Sequence, residues 1–231
     1  MAKKQKKDEK PIELDVKLSK SEAFIEKHYK KILVVLGIII VVVAGIFIYR
    51  NHRASVEEKA QSAIAQSQVL FMQDDFENAL KGDGKNSMGL LKVIDQFSGT
   101  KTANLAKYYA GLCYYKTGKT DEAIKMLEDY DDAGDMLVSP SAKAALGDCY
   151  AAKGDKQKAV DLLLEAAKDA DSRSEDNENT SIAPIFMKQA AVIYEDMNQN
   201  DKALELYQNI KKRVNSPLSE EMDAYIERLS K

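Results

Sequence analysis

Two stretches decide the fold: GLCYYKTGKTDEAIKML, residues 111–127, and LGDCYAAKGDKQKAVDLL, residues 146–163. Gly111 aligns with Gly147, Tyr114 with Tyr150, Gly118 with Gly154 and Ala123 with Ala159, every pair 36 residues apart. A repeat of this period in a chain rich in Ala, Leu, Lys and Glu means stacked helical hairpins. Gly111 and Gly147 are small where the first helix of a hairpin meets the second, and Ala123 and Ala159 are their small partners. Tyr114 and Tyr150 fill the space beside them. Gly118 and Gly154 stand where a helix ends with a positive φ. Thr120 and Asp155 are placed to cap the second helices.

A third copy runs Ala190-Ala191-x-x-Tyr194, then Ala203, Tyr207 and Ile210, with its Tyr 44 residues beyond Tyr150. The eight extra residues are expected in DADSRSEDNENTS, residues 169–181, a polar acidic run with no apolar period, read as a solvated loop. It is not a calcium loop: Ser174 and Thr180 stand where an EF-hand starting at Asp169 needs Gly and Glu. Upstream, residues 56–73 read as one long helix and residues 85–97 as another, together a degenerate first hairpin broken by KGDGK. That break is no phosphate loop, because Ala79 and Asn86 replace the required Gly and Ser or Thr. Residues 217–231 read as a polar capping helix that opens at Ser216-Pro217.

The 231 residues carry 34 basic and 37 acidic side chains. Residues 1–49 hold ten Lys against six acids, leaving 24 basic and 31 acidic residues over 50–231. An acidic body is a poor nucleic-acid binder, since phosphate contacts need Lys and Arg on one face. Ile32–Tyr49 is uncharged over 18 residues, and as a helix it spans about 27 Å, close to a bilayer's hydrocarbon core. No small-x-small cleavage pattern follows it, and the preceding segment is too long for an ordinary signal peptide, so it reads as a retained anchor. Lys17, Lys20, Lys27, Lys30 and Lys31 precede the span, against Arg50, Arg53 and Lys59 after it. This bias places the N-terminus in the cytoplasm and the body across the membrane; the reverse topology would make a cytosolic docking receptor. Phe24, Ile25, His28, Tyr29 and Ile32 suggest a short interfacial helix feeding the span.

Cys113 and Cys149 occupy equivalent repeat positions. Stacked hairpins hold such positions about 8–10 Å apart, beyond disulfide reach, so both read as small core residues. No Cys stands directly after the span, so no lipoprotein attachment site is expected. No catalytic constellation is present, no metal set and no cofactor motif, and the two His flank the span. The chain is therefore expected to be non-enzymatic.

The fold class is all-α: one N-terminal transmembrane helix, then a helical solenoid. The expected division is a charged tail with an interfacial helix (1–31), the span (32–49), a connecting helix and degenerate hairpin (50–100), three hairpins within 101–216 (about 104–138, 140–170 and 184–216) and a capping helix (217–231). In such arrays the first helix of each hairpin lines one face. The inward register is Leu105, Tyr108, Leu112, Tyr115 and Lys116 in one hairpin. It continues as Ser141, Ala144, Asp148 and Ala151, then Ile185, Lys188, Val192 and Glu195. Leu105, Tyr108, Leu112, Tyr115, Lys116, Asp148 and Lys188 are the candidate partner-binding residues. The alternative is that these Tyr and Leu pack against helix 56–73 as core.

Leu146-Gly147-x-x-Tyr150 with Ala159, Leu163 and Ala166 resembles the tetratricopeptide repeat. Ala110-Gly111-x-x-Tyr114 with Ala123 and Leu127 matches too, except that Tyr130 replaces the second Ala. The layout of tail, span, connecting helix and repeats resembles the membrane-anchored ancillary subunit of the Sec translocon. That resemblance implies a single-pass protein of the bacterial inner membrane with a periplasmic repeat domain. It also implies protein partners: translocon subunits, chaperones or exported chains. An envelope-assembly scaffold without contact to the translocon is the alternative.

Overall fold

The computed structural model describes residues 14–213 and 215–230, with side chains from Phe24 onward. The charged tail before residue 14 lies outside the described residues, as does Lys231. Among the described residues there is no strand. The chain divides into two units, Met1–Ala54 and Ser55–Lys231.

In the first unit everything described belongs to α1 (Leu14–Met72), which continues into the second. The sequence from Phe24 to Ile32, expected as a separate surface helix, is part of α1 without a break. No Gly or Pro stands between Leu14 and Ile32 to interrupt it. Phe24 and His28 stack at 4.7 Å. Among the described residues this is the one helix long and apolar enough to cross a membrane, with a mean hydropathy of 3.2 over its best window and none of that window buried.

Among its described residues the second unit contains nine further helices: α2 (Phe76–Lys81), α3 (Leu90–Gln96), α4 (Lys101–Lys116), α5 (Thr120–Glu128), α6 (Val138–Ala152), α7 (Lys156–Ser172), α8 (Ala183–Asp196), α9 (Asn200–Lys212) and α10 (Met222–Leu229). They form four hairpins and a cap. The final residues of α1 lead into α2 and α3; α4 pairs with α5, α6 with α7 and α8 with α9. Each second arm also packs against the next first arm, and α10 packs on α9.

One turn joins the arms of all four hairpins. Asp74, Gly118, Gly154 and Asn198 have φ of 58°, 75°, 86° and 58°. In each turn the following N–H reaches back to close a six-residue span: Asp75 to Leu70 O, Lys119 to Tyr114 O, Asp155 to Tyr150 O and Gln199 to Tyr194 O, at 2.8–3.0 Å. This is the Schellman closure, and Asp and Asn are the non-glycine residues that best tolerate its left-handed position. The small-residue positions align with the turns. Ser67, Gly111, Gly147 and Ala191 are buried in the first arms, and Ala79, Ala123, Ala159 and Ala203 are fully buried in the second.

Three expectations are corrected. Residues 85–89 are loop, and α3 starts only at Leu90. Gly82 and Gly89 close this loop back to back: a Cβ on Gly89 would lie 2.4 Å from Gly82 N and from Lys81 C. Second, the extra residues of hairpin three are not in a longer loop. Helix α7 runs 17 residues against nine in α5, because Leu163, Ala166, Ala167 and Ala170 continue one buried stripe at helical spacing. Third, Thr120 is the first residue of α5, not its cap. The cap position is Lys119, which has no acceptor and instead pairs with Glu77 at 2.7 Å. Asp155 does cap α7, accepting from Lys158 N at 3.2 Å. The C-terminal segment turns first and becomes helical at Met222, five residues beyond Pro217.

The core falls into three clusters along the array. Ile64, Leu70, Leu80, Leu90 and Val93 meet Ala106, Ala110 and Cys113. Ala123, Ile124 and Leu127 meet Ala142, Ala145 and Cys149. Val160, Leu163, Phe186, Met187, Tyr207, Ile210 and Met222 fill the last. Cys113 and Cys149 are free and fully buried, and burial pushes both thiols up to about 12.

Candidate functional site

The first arms α4, α6 and α8 adjoin. Helix α4 touches α6 directly, and Gln189 of α8 donates to both carboxylate oxygens of Asp148 on α6, at 3.2 and 3.3 Å. Their common side carries the inward register, and the structure sorts those residues into three kinds.

Leu105 is half-buried and packs against the cluster holding Ile64 and Leu70 of α1. Its neighbour Tyr109, not Tyr108, meets that helix, edge to face with Phe71 at 5.2 Å. Tyr108, Leu112 and Tyr115 are half-buried against a different cluster, the one formed by α5 and α6. Tyr108 lies 5.4 Å from the Tyr109 ring and 6.4 Å from Tyr130, and burial pushes its hydroxyl up to about 12. Ala144 is buried core. Exposed apolar side chains come from α8, where Ile185 is 46% and Val192 48% exposed.

The charged members differ in their pairing. Lys188 reaches Glu221 at 2.6 Å and lies 5.2 Å from the Tyr225 ring. Glu195 accepts from Arg228 at 2.6 Å and from the Tyr207 hydroxyl at 2.6 Å. Lys116 is exposed at the end of α4. Asp148 is half-buried, and burial pushes its carboxyl up to about 6 although Gln189 and Lys116 pull the other way. Asp148 in turn raises the neighbouring Tyr115 hydroxyl, after burial. Gln189 was not in the inward register. It lies four residues after Ile185 and three before Val192, so helical spacing places it on their face of α8 and could have marked it.

The acidic segment 169–181 is held in place rather than freely solvated. Arg213, buried at the end of α9, donates to both oxygens of Asp171 at 2.7 and 2.8 Å and to Asn179 O at 2.8 Å. Asn179 Oδ1 accepts from Ser181, Ile182 and Ala183 N–H groups at the start of α8. A similar clamp holds the linker before α6, where Arg173 pairs with Asp132 at 2.6 Å and donates to Asp135 O. Among the described residues no cluster of His, Cys, Asp and Glu is arranged to hold a metal ion.

Comparison with known proteins gives a fold and a partial family match. The family described as Suppressor of spindle checkpoint defect 1 C-terminal domain matches residues 110–223, just short of half the chain. No curated protein matches. Among solved structures, the chain is similar to nearly identical TPR-like repeats of a putative kinesin light chain from Podosopora anserina, at 16% identity and a TM-score of 0.58. The likeness covers 75% of this chain and 86% of that one. A singly substituted form of the same repeats gives the same identity and score, with 85% of that chain covered. The fold is thus all-helical and TPR-like. The resemblance to the ancillary Sec translocon subunit is overturned: the family that matches is a different one. That resemblance rested on the order of tail, span and repeats, and the repeat motif itself serves many unrelated partners.

Proposed function

We propose that the chain is a non-enzymatic protein-interaction module, anchored to a membrane by Ile32–Tyr49 and binding a protein segment along the common side of α4, α6 and α8. The observation that carries this reading is that Ile185 and Val192 lie exposed on α8, while Tyr108, Leu112 and Tyr115 of α4 are only half-buried. Exposed apolar side chains next to partly buried aromatics are the usual makings of a recognition surface. Translocon partners are not carried forward. The anchor reading is supported by the length and hydropathy of the apolar stretch, and the lysines before it favour an N-terminus in the cytoplasm with the repeats across the membrane.

The test is in-cell photo-crosslinking from positions 185 and 192, with position 115 as a third site, combined with protease accessibility of the repeats in intact membranes. Specific protein adducts from the α8 positions are the expected outcome. Adducts only to cytosolic proteins would reverse the topology. Absence of adducts from all three positions in a folded, membrane-inserted protein would overturn the binding face.

A further inference from the structure

Four charged residues lie on the inward register of α4, α6 and α8. Lys188 and Glu195 are neutralised within the body, by Glu221 and Arg228. Asp148 and Lys116 form no ion pair among the described residues. The contrast is sharpest at Asp148, because Lys116 is exposed while Asp148 is half-buried. A carboxylate offers about four acceptor sites, and Asp148 has one amide shared between its two oxygens at long range. The Oε1 of that same Gln189 amide is buried with no hydrogen-bond partner. Two neighbouring groups therefore lack the same thing, a donor. Acceptors withdrawn from water without donors are costly, and a half-buried carboxylate whose nearby cation, Lys116, makes no ion pair with it is left undersatisfied.

We propose that Asp148, with Gln189, receives an arginine side chain presented by an apolar segment of a partner protein lying across α4, α6 and α8. The inference rests on the reading of this side as the binding face and adds the chemistry of its occupant. A guanidinium carries five N–H groups in a planar fork, enough to engage both Asp148 oxygens, while Gln189, whose Oε1 is closed to solvent, holds the carboxylate in place from α8. Tyr115, close enough for Asp148 to act on its hydroxyl, offers an aromatic ring beside the cation. Ile185 and Val192, exposed on the adjacent helix, would cover apolar residues flanking the arginine. Lys116, exposed at the end of α4 and near enough to act on Asp148, disfavours a run of consecutive cations and selects a single one.

The test uses the full chain in lipid nanodiscs and a displayed library of short random peptides, with empty nanodiscs as counter-selection. Selected peptides are expected to carry an arginine between apolar residues. Replacing that arginine with citrulline, or Asp148 with Asn, is expected to weaken binding by about tenfold or more, and the two changes together by no more than either alone. Asp148→Asn is expected to keep or raise the thermal midpoint, so lost binding cannot be lost folding. Peptides that bind wild type and Asp148→Asn equally, yet are lost on Ile185→Ser with Val192→Ser, would overturn the arginine assignment and leave the binding face standing. Peptides indifferent to both variants, or no enriched peptide at all, would remove both.

Discussion

The first and third hairpins each run eight residues longer than the second: their turns stand 44 residues from the next turn, against 36 from Gly118 to Gly154. They use the added chain in opposite ways. Hairpin one puts it into a loop at 82–89 that splits its second arm into α2 and α3. Hairpin three puts it into two more turns of α7. The residues explain the difference. KGDGKNSMG supplies three glycines and an Asp whose Oδ1 accepts from the N–H groups of Lys85, Asn86 and Ser87. LLLEAAKDADS supplies helix formers with Ala at the buried positions. The turn motif is thus indifferent to the chain beyond it, and local composition decides whether added residues coil or wind.

The comparison breaks most sharply at Gly89. Gly89→Ala puts a Cβ into the Gly82 and Lys81 backbone and forces a side chain onto a φ of 87°. A loss of about 4 kcal/mol in chemical denaturation is expected, with the first hairpin opening before the rest. A wild-type midpoint would mean the loop is not closed by backbone contact. Hairpin three has its own weak point in the clamp at the end of α7. Arg213→Met leaves Asp171 without its bidentate partner and is expected to cost about 3 kcal/mol, with faster hydrogen exchange confined to residues 171–183. Equal loss of protection in hairpin one would show that the two insertions are not independent.

A third outcome concerns α6, the first arm of hairpin three. The raised Asp148 carboxyl means that the folded protein holds its proton where the unfolded chain has released it. Stability is therefore highest below the ordinary carboxyl range, falls as pH rises from near 4 to about 6, and stays lowered above that. Asp148→Asn is expected to stabilise the protein by about 2 kcal/mol at pH 7 and by nothing measurable at pH 3.5. A destabilised Asn variant at pH 7 would mean the carboxylate is already compensated in the free protein. The smallest effect is expected at the small-residue position of hairpin one. Ser67 Oγ meets Ser87 Oγ at 2.8 Å, so Ser67→Ala should cost about 1 kcal/mol by thermal denaturation. Ser87→Ala in the same background should add a further cost, since Ser87 Oγ also accepts from the Gly89 N–H at 3.2 Å.

Much of this architecture is readable from residue types and spacing. Gly118 and Gly154 mark two turns outright, and Ala123, Ala159 and Ala203 mark three second arms. The first hairpin is harder to read because its turn uses Asp74 and its small position uses Ser67, neither of which carries a glycine's signal. The extent of α7 is hidden by the charges of DADS, which look like loop residues although Ala170 among them is buried. The binding face is only partly legible. Register put Asp148 on the same side of α6 as Ala144. It could not tell that Leu105 packs toward α1, that Tyr109 rather than Tyr108 meets α1, or that Gln189 comes to Asp148. Those facts depend on how far neighbouring arms rotate against each other, a long-range property with no local signature.

The cap carries one more consequence. Met222 is fully buried and the Tyr225 ring lies 4.8 Å from Tyr207, so the last hairpin's outward face is already occupied. At the opposite end the carboxylate of Glu57 on α1 accepts from Lys101 and Thr102 N–H groups, at 2.8 and 2.9 Å, at the start of α4. The outer side of the last hairpin is thus closed by the chain's own side chains, and the open N–H groups at the start of α4 are closed by a carboxylate from the preceding helix.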